Sequence, residues 1–220
     1  MKRLSESKDK VVPFDKKNAE KLSRLTSLEE NNWGFKTDKN GRIKSNSLVN
    51  IEIILENDPM LKDTFQFNEF TTEIDVVKPN SKLVFKTGQL VDAYVDQIAS
   101  YIEDNSDYGV LFDNKKIRSA ITVVAMRHRY NPILDYFNEA YKDWDHKERL
   151  GFIMGDYLGV EEDIVTQLIT KLFFVGAVAK AHNPKTKFDF VLDLVGGQGA
   201  GKTTFLQKIA PLGYYTDQFS

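Results

Sequence analysis

The chain has 220 residues, of which 41% are hydrophobic, so it is long enough to bury one sizeable core or two small ones. The absence of cysteine excludes disulfides and thiolate metal sites. A formal charge of -2 at pH 7 excludes a global cationic field, so any contact with nucleic acid would depend on a local basic patch.

We find no targeting or membrane signal in the sequence. Uninterrupted apolar runs such as residues 172–179 are far shorter than the ~20 residues that span a bilayer. The basic first residues lead into further charge instead of an apolar segment, which argues against a secretory signal. We therefore expect a cytoplasmic protein without a transmembrane helix and without a membrane partner.

The first half of the chain predicts a charged arm followed by a small α+β module. Residues 1–32 are dense in charged side chains and poor in large apolar ones, which favours a flexible, solvated arm. Within residues 33–110, Asn40-Gly41 is typical of a tight hairpin turn and Ser47 of a helix N-cap. Residues 64–77 alternate apolar and polar positions, which predicts a pair of half-buried strands.

Helices are predicted to dominate the middle of the chain, where the apolar period changes from 2 to 3.6. One apolar stripe occupies residues 90–102, and Asp113 is placed to cap the next helix. Asn131-Pro132 predicts a further helix start, with proline where its missing N–H costs nothing. A last run, residues 161–182, is apolar enough to be largely buried. Residues 111–183 are therefore interpreted as a helical region.

A glycine-rich motif follows the helical region. Residues 188–195 form an apolar run of strand length, and the next eight residues read Gly-Gly-Gln-Gly-Ala-Gly-Lys-Thr, the pattern of a phosphate-binding loop. Glycines let the backbone N–H groups point inward, and a helix that starts near Lys202 directs its positive end at the same point. The expected nucleotide contacts are Gly196, Gly197, Gln198, Gly199, Ala200, Gly201, Lys202, Thr203 and Thr204.

The residues of this loop have distinct expected roles. Lys202 is expected to pair with the β- and γ-phosphates of ATP, and the Thr203 hydroxyl to ligate the Mg²⁺ that bridges them. The Thr204 side chain is expected to pack against its neighbours or cap the helix instead. The alternative is a glycine-rich turn with a solvent-facing lysine, but glycine carries an entropic cost where close backbone approach is not needed. Asp193 is unusual, because a central parallel strand is apolar on both faces. No catalytic residue is identified.

A basic stripe is predicted on and just beyond the helix capped by Asp113. Its side chains are candidates for tracking the phosphates of DNA, and the alternative is a solvated helix face. Any DNA binding is therefore expected to be local and electrostatic. The three histidines lack metal-ligand spacing, which argues against a protein metal centre. The residues of the stripe are Lys115, Lys116, Arg118, Arg127 and Arg129.

Three motifs precede the loop in a recognisable order. Residues 131–137, NPILDYF, are similar to "HPVRDYL", and residues 144–150 are similar to "WDGxxRL" with His146 at the glycine position. Residues 184–189 are similar to "PGxKxD" with Lys185 at its glycine position. With the loop as Walker A, this order resembles the virulence-associated protein E family of phages and pathogenicity islands, which belongs with the superfamily III-like AAA+ replicative helicases.

The resemblance implies ATP binding, association with DNA and a homo-oligomeric ring in the complete protein. It also implies that residues 184–220 begin an AAA+-like α/β P-loop NTPase domain, preceded by the α+β and helical regions. Residues 48–70 resemble the segment before the helicase core, which is often joined to a primase. The family's Walker B carboxylates and arginine finger have no counterparts in this sequence. We therefore expect a truncated protein, a split gene or a remnant that binds nucleotide weakly and hydrolyses it negligibly.

Three functions remain open at this point. The first is the N-terminal part of a mobile-element DNA replication ATPase or helicase. The second is a non-catalytic module that binds DNA or an intact helicase and interferes with it. The third is a P-loop phosphotransferase, which is disfavoured because such enzymes usually place the loop near the N-terminus. Nucleotide hydrolysis and its dependence on Lys202 separate the enzymes from the binding module.

Overall fold

A computed structural model describes residues 33–217, and the arm predicted for residues 1–32 lies outside this range. The described residues form seven α-helices and one four-stranded sheet, which confirms the α+β class. They fold into two compact units, residues 33–68 with 72–129 and residues 69–71 with 130–217.

The sheet and the first three helices occupy residues 48–130. Helices α1, α2 and α3 are Leu48–Asn57, Asp92–Asp104 and Asn114–Arg127. Strands β1 to β4 are Phe65–Asn68, Glu73–Val76, Gly88–Gln89 and Arg129–Tyr130, in the order β3-β2-β1-β4. Strands β1 and β2 pair antiparallel with Phe65 opposite Val76, which confirms the predicted strand pair. At Asn40-Gly41 the predicted hairpin is reduced to one isolated bridge between Thr37 and Ile43.

The predicted helix caps in the first unit are confirmed. The Ser47 hydroxyl accepts a hydrogen bond from the Asn50 N–H, and the Asp113 carboxylate accepts one from the Lys115 N–H. These contacts satisfy N–H groups that the first turn of a helix leaves without partners. Helix α3 packs against α1, α2 and β1. It belongs to the first unit because its apolar stripe faces those elements, although its sequence lies within the helical region of residues 111–183.

The core of the first unit contains a buried carboxylate. Asp58 is only 2% exposed, and its Oδ2 accepts hydrogen bonds from the hydroxyls of Tyr101 and Tyr108 at 2.9 and 2.8 Å. Its Oδ1 accepts a third from the Met60 N–H at 2.7 Å. Burial and the bond to Asp58 raise the pKa of Tyr101 to about 12 and also raise the pKa of Tyr108. The carboxylate therefore ties the residues after α1 to α2 and the loop that follows it.

The second unit contains the remaining four helices. These are α4, Pro132–Lys142; α5, Ile153–Leu158; α6, Ile164–His182; and α7, Lys202–Ile209. The Asn131 side chain accepts hydrogen bonds from the N–H groups of Ile133 and Leu134 at the start of α4, which confirms the predicted Asn-Pro start. Helix α6 ends at His182 with Asn183 as its C-cap, as Asn183-Pro184 predicts.

The prediction that the last apolar run is largely buried is wrong. In α6 only Thr170 and Gly176 are buried, whereas Ile164 and Leu168 are 73% and 61% exposed. The apolar side chains surround this helix instead of forming one stripe. Because the described part of the unit covers only one side of α6, the other side stays exposed.

Helix α6 is also the one helix within residues 33–217 that is long and apolar enough to cross a membrane. The sequence predicts no transmembrane helix because its uninterrupted apolar runs are short. Helix α6 meets the criterion by length and composition alone, so the absence of a transmembrane helix stays a prediction. Lys171 lies in the middle of the helix and pairs with Glu148. A lysine at the centre of a membrane-spanning helix costs about 2.5–3.5 kcal/mol on insertion scales, which opposes that arrangement.

Candidate phosphate-binding loop

Residues 188–195, the segment before the loop, alternate in burial as a strand would but do not form a strand. Phe188, Leu192 and Leu194 are half-buried, whereas Val191 and Val195 are 92% and 89% exposed. Residues 188–195 of the described range form no strand, so the predicted strand is absent there. A strand requires a hydrogen-bonded neighbour, and the backbone groups of residues 192–195 have no such partner among the described residues.

The inner side of this segment lies against α6. A Cβ atom added at Gly176 would lie 2.1 Å from the Phe188 ring, which is closer than any side chain tolerates. Glycine at this position therefore permits the aromatic ring to reach the helix backbone. The contact holds the start of the segment that leads into the loop.

We predict that Gly176→Ala destabilises the protein only while Phe188 is present. The alanine Cβ should displace the Phe188 ring and lower the free energy of unfolding by about 1–3 kcal/mol, the usual cost of overpacking. In a Phe188→Ala background the same change should instead stabilise the helix by up to about 1 kcal/mol, because alanine favours helix over glycine. Denaturant unfolding of the four variants measures both values. Equal effects in the two backgrounds would show that the contact does not exist.

The glycine-rich loop has the predicted position between the extended segment and a helix. Residues 196–201 are turn and irregular backbone, and α7 begins at Lys202, as predicted. Gly199 and Gly201 have φ values of +83° and +80°, in the left-handed region that favours glycine. A Cβ at either position would meet no atom within 4 Å, so these glycines serve backbone conformation and leave open space above the loop.

The N-terminus of α7 carries unpaired backbone donors. Its first helical hydrogen bond runs from the Phe205 N–H to the Gly201 carbonyl at 2.8 Å, and no side chain caps the helix. The N–H groups of Lys202, Thr203 and Thr204 therefore have no helical partner. Such donors, together with the helix dipole, attract an anion. The side chains of Thr203 and Thr204 are both exposed there.

The Lys202 side chain lies against the loop that precedes it. Its ammonium group donates hydrogen bonds to the carbonyls of Gly196 and Gly197 at 2.7 and 3.0 Å. The ammonium thus lies against the first two residues of the loop, and the N-terminus of α7 follows the last one.

A cavity of about 330 Å³ adjoins the loop within the second unit. Ala200 and Lys202 contribute to its wall, and most of the remaining lining is apolar. The sequence pattern does not reveal this cavity, because its lining comes from α5, the turn after it, α6 and the extended segment. No local pattern marks residues that distant in sequence as neighbours. The apolar lining includes Met154, Leu158, Val160, Ile169, Leu192 and Val195.

The residues of the predicted DNA stripe belong to the first unit and several are engaged within it. Arg118 is ion-paired with Asp92, and Arg127 pairs with Glu52 at 2.5 Å and with Glu56 at 3.5 Å. Carboxylates therefore neutralise the charge of two of the five side chains. These contacts reduce the positive potential that the stripe presents to solvent.

The other members of the stripe have different surroundings. The Lys116 ammonium donates to the Asn46 carbonyl at 3.0 Å, and the Arg129 guanidinium lies 5.2 Å from the centre of the Phe67 ring. Lys115 is exposed on α3. DNA binding by this stripe stays a prediction, and these contacts give it no further support.

The motif around Trp144 forms a local ion-paired turn. Both Nη atoms of Arg149 donate to the Asp145 carboxylate at 2.7 and 2.6 Å, and the Lys147 N–H donates to the same group at 3.1 Å. Hydrogen bonds from Arg149 and Lys147 lower the pKa of Asp145 to about 2. His146 has a φ of +61° at the position where the similar motif has glycine.

We predict that Asp145 titrates with a pKa of about 2 in the folded protein and that this pKa rises in Arg149→Ala, while the remaining bond from the Lys147 N–H keeps it below its ordinary value. Because the folded-state pKa is depressed, the interaction stabilises the fold above pH ~4 and is lost as pH falls toward 2. Carboxyl-carbon NMR titration of the parent protein and of Arg149→Ala measures both pKa values. An unchanged Asp145 pKa in the variant would contradict the bidentate pair.

The loop lies within a region that matches a known protein family. Residues 138–220 match the model of the virulence-associated protein E-like domain. This range contains the Arg149–Asp145 turn and the whole glycine-rich loop, and it supports the resemblance drawn from the motifs. A comparison with curated proteins gives no significant match.

Proposed function

We propose that residues 196–203 bind the phosphates of ATP together with Mg²⁺. The observation that carries this proposal is the position of the Lys202 ammonium, which lies against the loop carbonyls of Gly196 and Gly197 next to the uncapped start of α7. A triphosphate would replace these carbonyls as the partner of the cation. It would also accept from the free N–H groups of the first helical turn.

The residues present fit a magnesium-bound triphosphate. Mg²⁺ prefers oxygen ligands and binds through one or two protein oxygens together with substrate phosphates and water. The exposed hydroxyl of Thr203, in the first turn of α7, would supply one such oxygen. The open space above Gly199 and Gly201 leaves room for the phosphates.

The family match supports a wider proposal for the complete protein. We propose that this nucleotide site belongs to a phage-type, mobile-element DNA replication ATPase of the AAA+ class that works in the cytoplasm. DNA and a homo-oligomeric ring are its proposed partners. The support is the order of motifs that ends in the loop, together with the family model over residues 138–220.

The magnesium dependence of ATP affinity tests the proposed site. We expect saturable one-to-one binding that Mg²⁺ strengthens by about tenfold, equal to about 1.4 kcal/mol. Thr203→Ala should remove this gain, and Thr203→Ser should keep it because serine retains the hydroxyl. Titration calorimetry of the parent protein and the two variants, each in Mg²⁺ and in EDTA, gives the six affinities needed. An identical Mg²⁺ effect in the alanine and serine variants would refute the role of Thr203.

A further inference from the structure

We infer that Asn40 is a site of spontaneous deamidation, a reaction that converts its side-chain amide to aspartate and isoaspartate. Asn40 is the one asparagine of the chain that glycine follows. It lies in the turn between the bridged residues Thr37 and Ile43, and both Asn40 and Gly41 are exposed. The reaction needs water but no enzyme and no nucleotide, so the inference is independent of the proposed function.

The reaction begins at the backbone nitrogen of Gly41. This nitrogen loses its proton and attacks the side-chain carbonyl carbon of Asn40. A C–N bond forms between them, and the side-chain nitrogen takes up a proton and leaves as ammonia. The product is a cyclic imide, which water opens at either carbonyl to give aspartate or isoaspartate. Water is consumed and ammonia is released in equal amounts, and no atom is oxidised or reduced.

The surroundings of Asn40 and Gly41 favour this attack. The Asn40 side chain forms no hydrogen bond within residues 33–217, so no contact there holds its amide away from the backbone. Gly41 has a φ of +75°, in the region that favours glycine, and a Cβ there would meet no atom within 4 Å. Because glycine has no side chain, nothing shields its nitrogen from the Asn40 carbonyl carbon.

The hydrogen bonds of the turn slow the reaction. The Gly41 N–H donates to the Asp38 carbonyl at 3.1 Å and must leave this bond before the nitrogen attacks. The Asp38 carboxylate holds the turn closed, because it accepts from the N–H groups of Asn40 and Arg42 at 2.8 and 2.9 Å. All four residues are exposed, and exposed turns open locally at a small fraction of the free energy of global unfolding. The reaction therefore proceeds from the opened turn.

The structural damage from the reaction is confined to the turn. Isoaspartate adds a methylene group to the main chain and so disrupts the pairing of Asp38 with Arg42. The Asn50 side chain holds both sides of the turn at its base. It accepts from the Lys36 N–H at 2.7 Å and donates to the carbonyls of Lys36 and Lys44 at 2.8 and 3.2 Å. The first unit should therefore stay folded after the reaction.

Peptide mass spectrometry of the full chain, after incubation at mildly alkaline pH, tests the inference. We expect the Asn40 amide to be lost while exposed Asn46, which Ser47 follows, keeps its amide. Labelling by an isoaspartate methyltransferase should appear in the Asn40 peptide. Asn40→Gln should abolish both signals, because its longer side chain must close a larger and less favourable ring. An Asn40 amide that persists, or one lost no faster than that of Asn46, would overturn the inference.

The rate of amide loss in Asp38→Ala tests the role of the turn. Without the carboxylate the turn should open more often, so the Asn40 amide should be lost about fivefold faster, the factor that corresponds to one hydrogen bond of about 1 kcal/mol. Glu103→Ala changes the net charge equally on the exposed face of α2 and should leave the rate unchanged. Equal rates in Asp38→Ala and Glu103→Ala would contradict reaction from the opened turn.

Discussion

Replacing Lys202 with alanine is expected to weaken ATP binding by at least about 100-fold. A hydrogen bond to a charged group contributes about 1.5–3 kcal/mol, and the ammonium at this position can form more than one with the β- and γ-phosphates. A loss of about 2.8 kcal/mol corresponds to the expected factor. The fold should be unaffected, because the ammonium contacts only exposed loop carbonyls. Titration calorimetry measures the affinity.

Two further lysine variants serve as controls. Lys208→Ala removes an exposed charge from the last turn of the same helix, so it changes the net charge of the protein by the same amount as Lys202→Ala. It should alter the affinity for ATP by less than about threefold. Lys202→Arg keeps the charge but places a planar, bulkier group near Gly196 and Gly197, so it should recover only part of the affinity. If Lys202→Ala and Lys208→Ala weaken ATP binding equally, the loss comes from the change in net charge, and the loop is not the ATP site.

Replacing Asp58 with alanine is expected to destabilise the first unit by about 3–5 kcal/mol. The change leaves the hydroxyls of buried Tyr108 and half-buried Tyr101 without their acceptor, and a buried unsatisfied group costs about 1–3 kcal/mol. It also removes the acceptor for the Met60 N–H. Denaturant unfolding followed by Trp33 fluorescence measures the change, because the Trp33 ring lies 6.2 Å from that of Tyr108.

Suitable controls isolate the network from general effects of mutation. The measurement is made in a Trp144→Phe background, so that Trp33 is the one reporting tryptophan. Tyr101→Phe removes one donor and leaves the carboxylate paired with Tyr108, so it should cost only about 1 kcal/mol. Glu103→Ala on the exposed face of α2 should change stability by less than about 0.5 kcal/mol. A similar cost for Asp58→Ala and Glu103→Ala would contradict the network.

The parts of the fold that local chemistry determines could be predicted from the sequence. Ser47, Asp113 and Asn131 cap their helices as predicted, because a cap depends on side-chain and backbone groups within three residues. The loop and the start of α7 at Lys202 follow for the same reason. Glycine conformation and helix initiation are local properties.

The parts that depend on distant neighbours could not be predicted. Residues 188–195 have strand-like alternation, yet a strand also needs a paired backbone, which sequence pattern cannot supply. The exposure of α6 depends on how much of its surface the other elements cover. The cavity combines Met154 of α5 with Ala200 of the loop, and no periodicity connects them. The left-handed backbone at His146 does have a signal in the sequence, because the similar motif has glycine at that position.

The most direct test of nucleotide binding by the loop is an amide NMR titration of the ¹⁵N-labelled chain with ATP and Mg²⁺. We predict that the largest shift changes occur at residues 196–203 and saturate with a single Kd. We also predict that these changes disappear in Lys202→Ala while the rest of the spectrum is retained. Saturating changes confined to other residues, or loop amides that do not respond at millimolar ATP, would contradict the assignment of this loop as the phosphate site.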